Sequence, residues 1–364
     1  MIQLQARNTI GEKKVGIREK RELSKKLTEL KRTSKRVITS CLICGKEHTS
    51  FCNSHSIPKF VLKQISKNGK IMIGHNFSKN PTTDEYGVSN ALVFKCICEN
   101  CDNTYFQEYE DPKVFDKPLS NIAINEIATK IYLKHYYKRF NEESIFLMLK
   151  DEVKKKKLED TDIGKMINNR LLTTKLDLDD ATKRIKKLIK HKNDKHFYII
   201  DDFNLDYPTQ LAYQGFVGLT KGFNRVINDI YNYDPTYRIE ELFLCIFPFN
   251  NGTKIVLFCD DGCSRLKDFY KNYRKFDLDS KLYLLNYILL LYDEEWCVSG
   301  DFDKSKLNKE TLELINQTTD ILVESDNIFD VDKYYDVLKA ELIESVFELK
   351  TSGKTYNFLK ENNT

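Results

Sequence analysis

Two cysteine pairs, CLIC at 41–44 and CENC at 98–101, carry the plainest chemistry in this chain. Each CxxC can present two thiolates to one side of a tetrahedral Zn²⁺, and the second pair closes the site. Gly45 follows the first pair as in a zinc knuckle, where a tight turn brings backbone amides toward sulfur. Cys98 and Cys101 open a short predicted helix in CENCDNTYFQEYED. The structural zinc set is therefore Cys41, Cys44, Cys98 and Cys101, with Lys46 and Lys95 placed to offset its negative charge. Two other sets stay open. Cys41, Cys44, His48 and Cys52 would make a self-contained knuckle, and in KCIC Cys96 can replace Cys98, because alternate residues of a strand face the same way. Six cysteines between 41 and 101 point to metal ligation in a reducing compartment, not to a disulfide framework. Cys245, Cys259, Cys263 and Cys297 read as small core residues.

Between the pairs stands CNSHSIPKF, residues 52–60. With four thiols already at zinc spacing, His55 is left as a proton-transfer group or as a hydrogen-bonded side chain tying the loop to the zinc unit. Here the chain resembles the HNH, or ββα-metal, nucleases, in particular a bacterial subgroup carrying CxxCGK, SHxIPKF and CxxC(N/D)xxFxxyE in that order. The matching residues are Cys41, Cys44, Gly45 and Lys46, then Ser54, His55, Ile57, Pro58, Lys59 and Phe60, then Cys98, Cys101, Asp102, Phe106, Tyr109 and Glu110. They cover under a quarter of the chain.

The resemblance implies a treble-clef zinc module with His55, on the first strand of a hairpin, as the general base of phosphodiester hydrolysis. A cation would stabilise charge on the phosphate. It places that catalytic Mg²⁺ or Mn²⁺ on Asp102 and Asn103, with Glu110 as a further candidate. Ser54 stands where most of the family carries Asp, Glu or His, and a hydroxyl is a poor ligand for a hard cation. The usual second helix ligand has no counterpart in Phe106 or Gln107. The implied function is a metal-dependent DNA endonuclease, in a phage-defence setting by analogy. The alternative is an inactive zinc module that binds nucleic acid or a protein partner.

The elements that must position these groups follow from pattern. Residues 1–38 hold twelve Lys or Arg against four Glu. Leu23, Leu27 and Leu30 mark an amphipathic helix whose flank, including Lys25, Lys26, Lys31 and Arg32, can lie along phosphates. Residues 39–118 form the zinc unit, rich in turn residues. A larger α+β domain is expected over 119–364, helical to 194 and mixed thereafter. Its first helix has Ser120 as N-cap and Ile124, Ile127, Ile131 and Tyr132 on one face. In ATKRIKKLIKHKNDK, Ile185, Leu188 and Ile189 share a face while Lys183, Lys186, Lys187 and Lys190 cover the rest. Beyond 195 the order reads strand (HFYIIDDF), helix (PTQLAYQGFVGLTKGFNRVINDIY), then a hairpin over ELFLCIFPFNNGTKIVLFCDD turning at Asn250, Asn251 and Gly252. Helices follow, with Leu282 to Tyr292 apolar nearly all round. Asp179-Asp180, Asp201-Asp202 and Asp260-Asp261 read as strand ends and caps, and His48 and His75 as loop residues.

Composition bounds the rest. A chain of 364 residues with 41% hydrophobic residues can bury a sizeable core. A net charge of only +4 means that any pull on nucleic acid comes from local patches. The N-terminal sequence has no apolar signal core, and no run reaches the roughly 18 apolar residues of a spanning helix. The expectation is a soluble cytoplasmic protein with nucleic acid, DNA first, as partner. A protein partner would dock on the C-terminal domain, and no membrane is involved.

Overall fold

The computed structural model describes residues 37–74, 84–220, 222, 226–229, 232, 234–292 and 296–302. The basic arm with Lys25, Lys26, Lys31 and Arg32, His75, and the C-terminal helices expected past 302 lie outside them.

The fold is mixed α+β. After the Cys41–Cys44 turn come strand β1 (Ser54–His55), helix α1 (Lys59–Ile65), β2 (Lys70–Gly74), β3 (Asp84–Gly87), β4 (Val93–Phe94) and helix α2 (Glu99–Tyr105). Two long helices follow, α3 (Asn121–Lys155) and α4 (Asp162–Lys190), then β5 (Phe197–Leu205), β6 (Leu211–Val217), β7 (Leu242–Phe249) and β8 (Gly252–Asp260). Helices α5 (Lys267–Tyr273) and α6 (Leu278–Tyr292) and strand β9 (Trp296–Ser299) complete the described chain.

Strands β1 and β4 form a two-stranded antiparallel ribbon. The other seven form one sheet in the order β3-β2-β9-β6-β7-β8-β5. Strand β2, from the zinc segment, pairs antiparallel with β9, Ile71 opposite Ser299. The sheet therefore runs across the boundary expected at 118/119, and the zinc segment contributes two of its strands.

Both faces of this sheet are covered, and period-two alternation shows how. In β7, Phe243, Cys245, Phe247 and Phe249 enter the core shared with the zinc segment and α3. Leu242, Leu244 and Ile246 enter a second core with Phe269 and Tyr273 of α5 and Leu282, Leu285 and Ile288 of α6. All eight residues of β7 are buried. On the first face Phe115, near the end of the zinc unit, stacks on Phe247 at 5.2 Å and meets Phe249 edge-on at 5.6 Å. That aromatic contact fixes the zinc unit to the sheet.

Helix α3 begins as expected: the Ser120 hydroxyl accepts from the Ala123 amide at 3.1 Å. Such a cap is worth about 1 kcal/mol. From Ala123 to Leu133 every residue is buried, because the zinc unit, the sheet and the end of α4 close around it. Thr161 caps α4 in the same way, accepting from the Gly164 amide at 3.3 Å. The outer halves of α3 and α4 share a third small core of Phe146, Leu149, Val153, Ile163, Ile167 and Leu171.

The hairpin at Asn250-Asn251 forms as read, with Asn250 in the left-handed region at φ 42° and Phe249 opposite Gly252. Among the described residues of 208–231, the expected helix does not form. Residues 211–217 are instead strand β6, held between β7 and β9. Four of its residues in a row, Leu211 to Gln214, are buried. A strand covered on both faces loses the alternation that would mark it, and tertiary pairing overrides local preference. Among the described residues, no helix is long and apolar enough to cross a membrane.

Candidate metal centre

Cys41, Cys44, Cys98 and Cys101 come together, their sulfurs all within 4.8 Å of one another. The turn that makes this possible is local. Gly45, at φ 71°, lies where a side chain would be strained, and its amide donates to the Cys41 carbonyl at 2.8 Å. The Cys98 amide approaches the Cys41 sulfur at 3.4 Å. Cys98 is the N-cap of α2, and Cys101 lies in its first turn, so the helix presents the second pair from one end.

Burial raises the Cys41 thiol, and burial followed by the Cys98 sulfur raises that of Cys101. The Lys46 amide, with smaller contributions, lowers Cys44 to about 6. The buried thiols of Cys41 and Cys101 gain most from a dication, and the exposed Cys44 is already poised as a thiolate, so the donor set fits a metal such as zinc. The rival sets do not assemble. Cys52 donates its thiol to the Ile97 carbonyl at 3.3 Å, and Cys96 to the Leu133 carbonyl at 3.7 Å.

Beside this cluster, β1 holds Ser54 and His55 against β4. Neighbouring strand residues face opposite ways, and the two part accordingly. Ser54, wholly buried, donates its hydroxyl to Asp102 Oδ1 at 2.7 Å. His55, half-buried, bonds through Nε2 to the Val88 carbonyl at 2.9 Å. A carbonyl only accepts, so Nε2 carries the proton and Nδ1 the lone pair. Burial, with smaller contributions from Lys59 and Lys130, holds this imidazole below its ordinary range.

Asp102 is claimed by a residue that the sequence reading passed over. Lys130 of α3 places Nζ 2.7 Å from Asp102 Oδ1, 3.0 Å from Glu110 Oε1 and 3.1 Å from Ser54 Oγ. It lies 3.8 Å from the centre of the Phe106 ring. Its side chain is 1% exposed. An ammonium thus stands among the groups expected to hold a divalent cation. Asn103 is exposed, and its backbone carbonyl accepts from Gln107 Nε2 at 3.2 Å. The group Ser54, Asp102, Asn103 and Glu110 does not fit Mg²⁺ or Mn²⁺ while Lys130 is in place.

No family model, curated protein or solved structure matches this chain.

The signal for Lys130 was available. It falls in the same buried stretch of α3 as Ile127 and Ile131, and a lysine on an apolar helix face must find carboxylates. Glu126, also in that stretch, takes the Tyr109 amide at 2.8 Å and Lys192 at 2.6 Å.

The C-terminal half of α4 exposes Lys183, Lys186, Lys187 and Lys190, while Ile185 and Leu188 are buried beneath them. Arg184 is tied to Asp180 at 2.8 Å and Asp260 at 3.1 Å. The remaining carboxylate pair is structural too. Asp201 meets Lys281 at 2.7 Å, and Asp202 pairs with the buried Lys254 and accepts the Leu119 amide at 2.8 Å. Both lie inside β5, not at its end, because the ion pairs let carboxylates sit in a covered strand.

Proposed function

We propose that this protein binds nucleic acid through the lysine face of α4 and does not cleave it, its zinc-bound module serving as a structural clip. The observation that carries this reading is Lys130 Nζ lodged between Asp102 and Glu110. A buried ammonium already supplies the positive charge those carboxylates need, and a hard cation would have to displace it. The exposed Lys183, Lys186, Lys187 and Lys190 supply the phosphate-directed charge. The cysteine turn, the β1–β4 ribbon and the α2 helix follow one another as in a treble clef, and zinc is the metal that four thiolates favour. Four thiolates suit a reducing compartment, which for this chain is the cytoplasm.

The test is a supercoiled plasmid incubated with the full chain and Mg²⁺ or Mn²⁺. The plasmid stays intact, while a labelled duplex shifts at low salt. A second reading, metal-dependent phosphodiester hydrolysis of the HNH kind with His55 as base, has one observation in its favour. His55 lies on the first strand of a ribbon that leads into the α2 helix, with Nδ1 as the free lone pair. Nicking that is lost in His55→Ala would establish that reading and sink the first.

A further inference from the structure

A cavity of about 260 Å³ opens between the C-terminal half of α4 and the start of β5; Lys183, Arg184, Lys187 and His196 line it together with the carboxylates Asp180 and Asp260. We infer that it is a binding site for a terminal phosphate monoester, taken from the end of a nucleic-acid strand or from a free nucleoside monophosphate. This deepens the nucleic-acid reading and rests on it only for the strand-end source of the phosphate. The phosphate chemistry rests on the cavity.

Arg184 forms a fixed wall. Its Nε donates to Asp180 at 2.8 Å and its Nη1 to Asp260 at 3.1 Å, and its guanidinium carbon lies 5.5 Å from the centre of the Tyr132 ring. Two of the three guanidinium nitrogens are thus held by protein carboxylates. Nη2 has no hydrogen-bond partner among the described residues and remains to donate to a ligand oxygen. Lys183 and Lys187 stand one helical turn apart on either side of Arg184, and neither makes an ion pair among the described residues. His196 spends Nε2 on the His191 carbonyl at 2.9 Å, which fixes its ring and leaves Nδ1 to accept from a sugar hydroxyl.

Charge selects the ligand. The two aspartates are spent on Arg184, and Asp180 also faces Arg238 at 3.8 Å. The lining carries three cations against two carboxylates, and Lys183 and Lys187 are the cations without a carboxylate partner among the described residues. A phosphate monoester carries about −1.5 to −2 near neutral pH, which those two ammonium groups match. A diester inside a strand carries one charge and a substituent on both sides, so it tracks along the outer lysines instead of entering the cavity.

The experiment uses the full chain and one duplex prepared with 5′-phosphate ends, 3′-phosphate ends, or hydroxyl ends only. Affinity is measured for wild type and for the Lys183→Gln/Lys187→Gln variant, with thermal melts showing that the variant is folded. A phosphorylated end tightens wild-type binding at least about tenfold, and the variant loses that gain. Adenosine monophosphate is titrated in parallel. If it binds wild type and not the variant, and displaces the phosphorylated duplex, the free nucleotide is the source. If neither duplex binds but the nucleotide does, in a lysine-dependent way, the nucleic-acid reading fails and the cavity assignment stands. Equal affinity for all three duplexes, with no heat from the nucleotide, overturns the assignment and leaves binding along α4 intact.

Discussion

Replacing Lys130 by methionine keeps the length and apolar stem of the side chain and removes its charge. The loss is specific: the contacts to Asp102 at 2.7 Å and Glu110 at 3.0 Å, and the ammonium above the Phe106 ring. Breaking a buried ion pair from one side costs about 3–5 kcal/mol, because it strands the partner charge. Here Asp102 is 22% and Glu110 39% exposed. Water therefore recovers part of the cost, and Glu110 is given no share of it. The expectation is about 3 kcal/mol, at the low end of that range. The assay is urea denaturation in saturating zinc, comparing wild type, Lys130→Met and Lys130→Met/Asp102→Asn. The double variant should recover about 2 kcal/mol, since the stranded carboxylate is gone. A single variant within about 0.5 kcal/mol of wild type would refute the ion pair. So would millimolar Mn²⁺ stabilising the wild type but not Asp102→Asn, the signature of a cation bound in place of Lys130.

Three further outcomes follow from particular groups. The purified chain should carry zinc on its four cysteines, and chelation or Cys101→Ser should unfold the zinc unit, structural zinc being worth roughly 10 kcal/mol or more in small domains; a metal-free chain with unchanged melting contradicts this. Glu241 keeps part of its surface exposed, but its carboxylate is enclosed beside Tyr132, whose hydroxyl donates to it at 2.5 Å. Burial raises it to about 7 against the opposing pull of Arg184. A carboxyl raised in the folded state adds stability below its unfolded pKa and loses it as pH rises through the folded one. Unfolding free energy should therefore fall by about 2–3 kcal/mol between about pH 5 and pH 8. Glu241→Gln should flatten that slope, and an unchanged slope in the variant contradicts it. Gly45→Ala should cost about 1 kcal/mol, because the knuckle needs φ 71° there; urea midpoints no lower than wild type would show that the turn is not strained.

Local signals carried part of the architecture. Ser120 before an apolar-periodic run marks the α3 cap, Asn250-Asn251-Gly252 marks the hairpin, and each CxxC marks half of the metal set, because each acts within a few residues of itself. What was not legible depends on partners far along the chain. Nothing in KIMIG announces that Ile71 will pair opposite Ser299, and LAYQGFV reads as a helix until β7 and β9 close on either side of it. The candidate site divides in the same way. Cys41, Cys44, Cys98 and Cys101 assemble as spaced, whereas Asp102 looked like a cation ligand only as long as Lys130, on a helix read for its apolar face, was left out of the charge balance.

The central claim, phosphate binding along α4 without hydrolysis, is tested most directly by the salt dependence of binding to a fluorescent duplex in Mg²⁺. Affinities are compared between the wild-type chain and the variant with Lys183, Lys186, Lys187 and Lys190 all changed to glutamine. Each lysine that neutralises a phosphate contributes about 0.9 to the slope of log affinity against log salt. The account predicts a variant slope shallower by about 3.6 if all four meet phosphates, with the duplex uncut in both samples. Equal slopes, or a cleaved duplex, would contradict it.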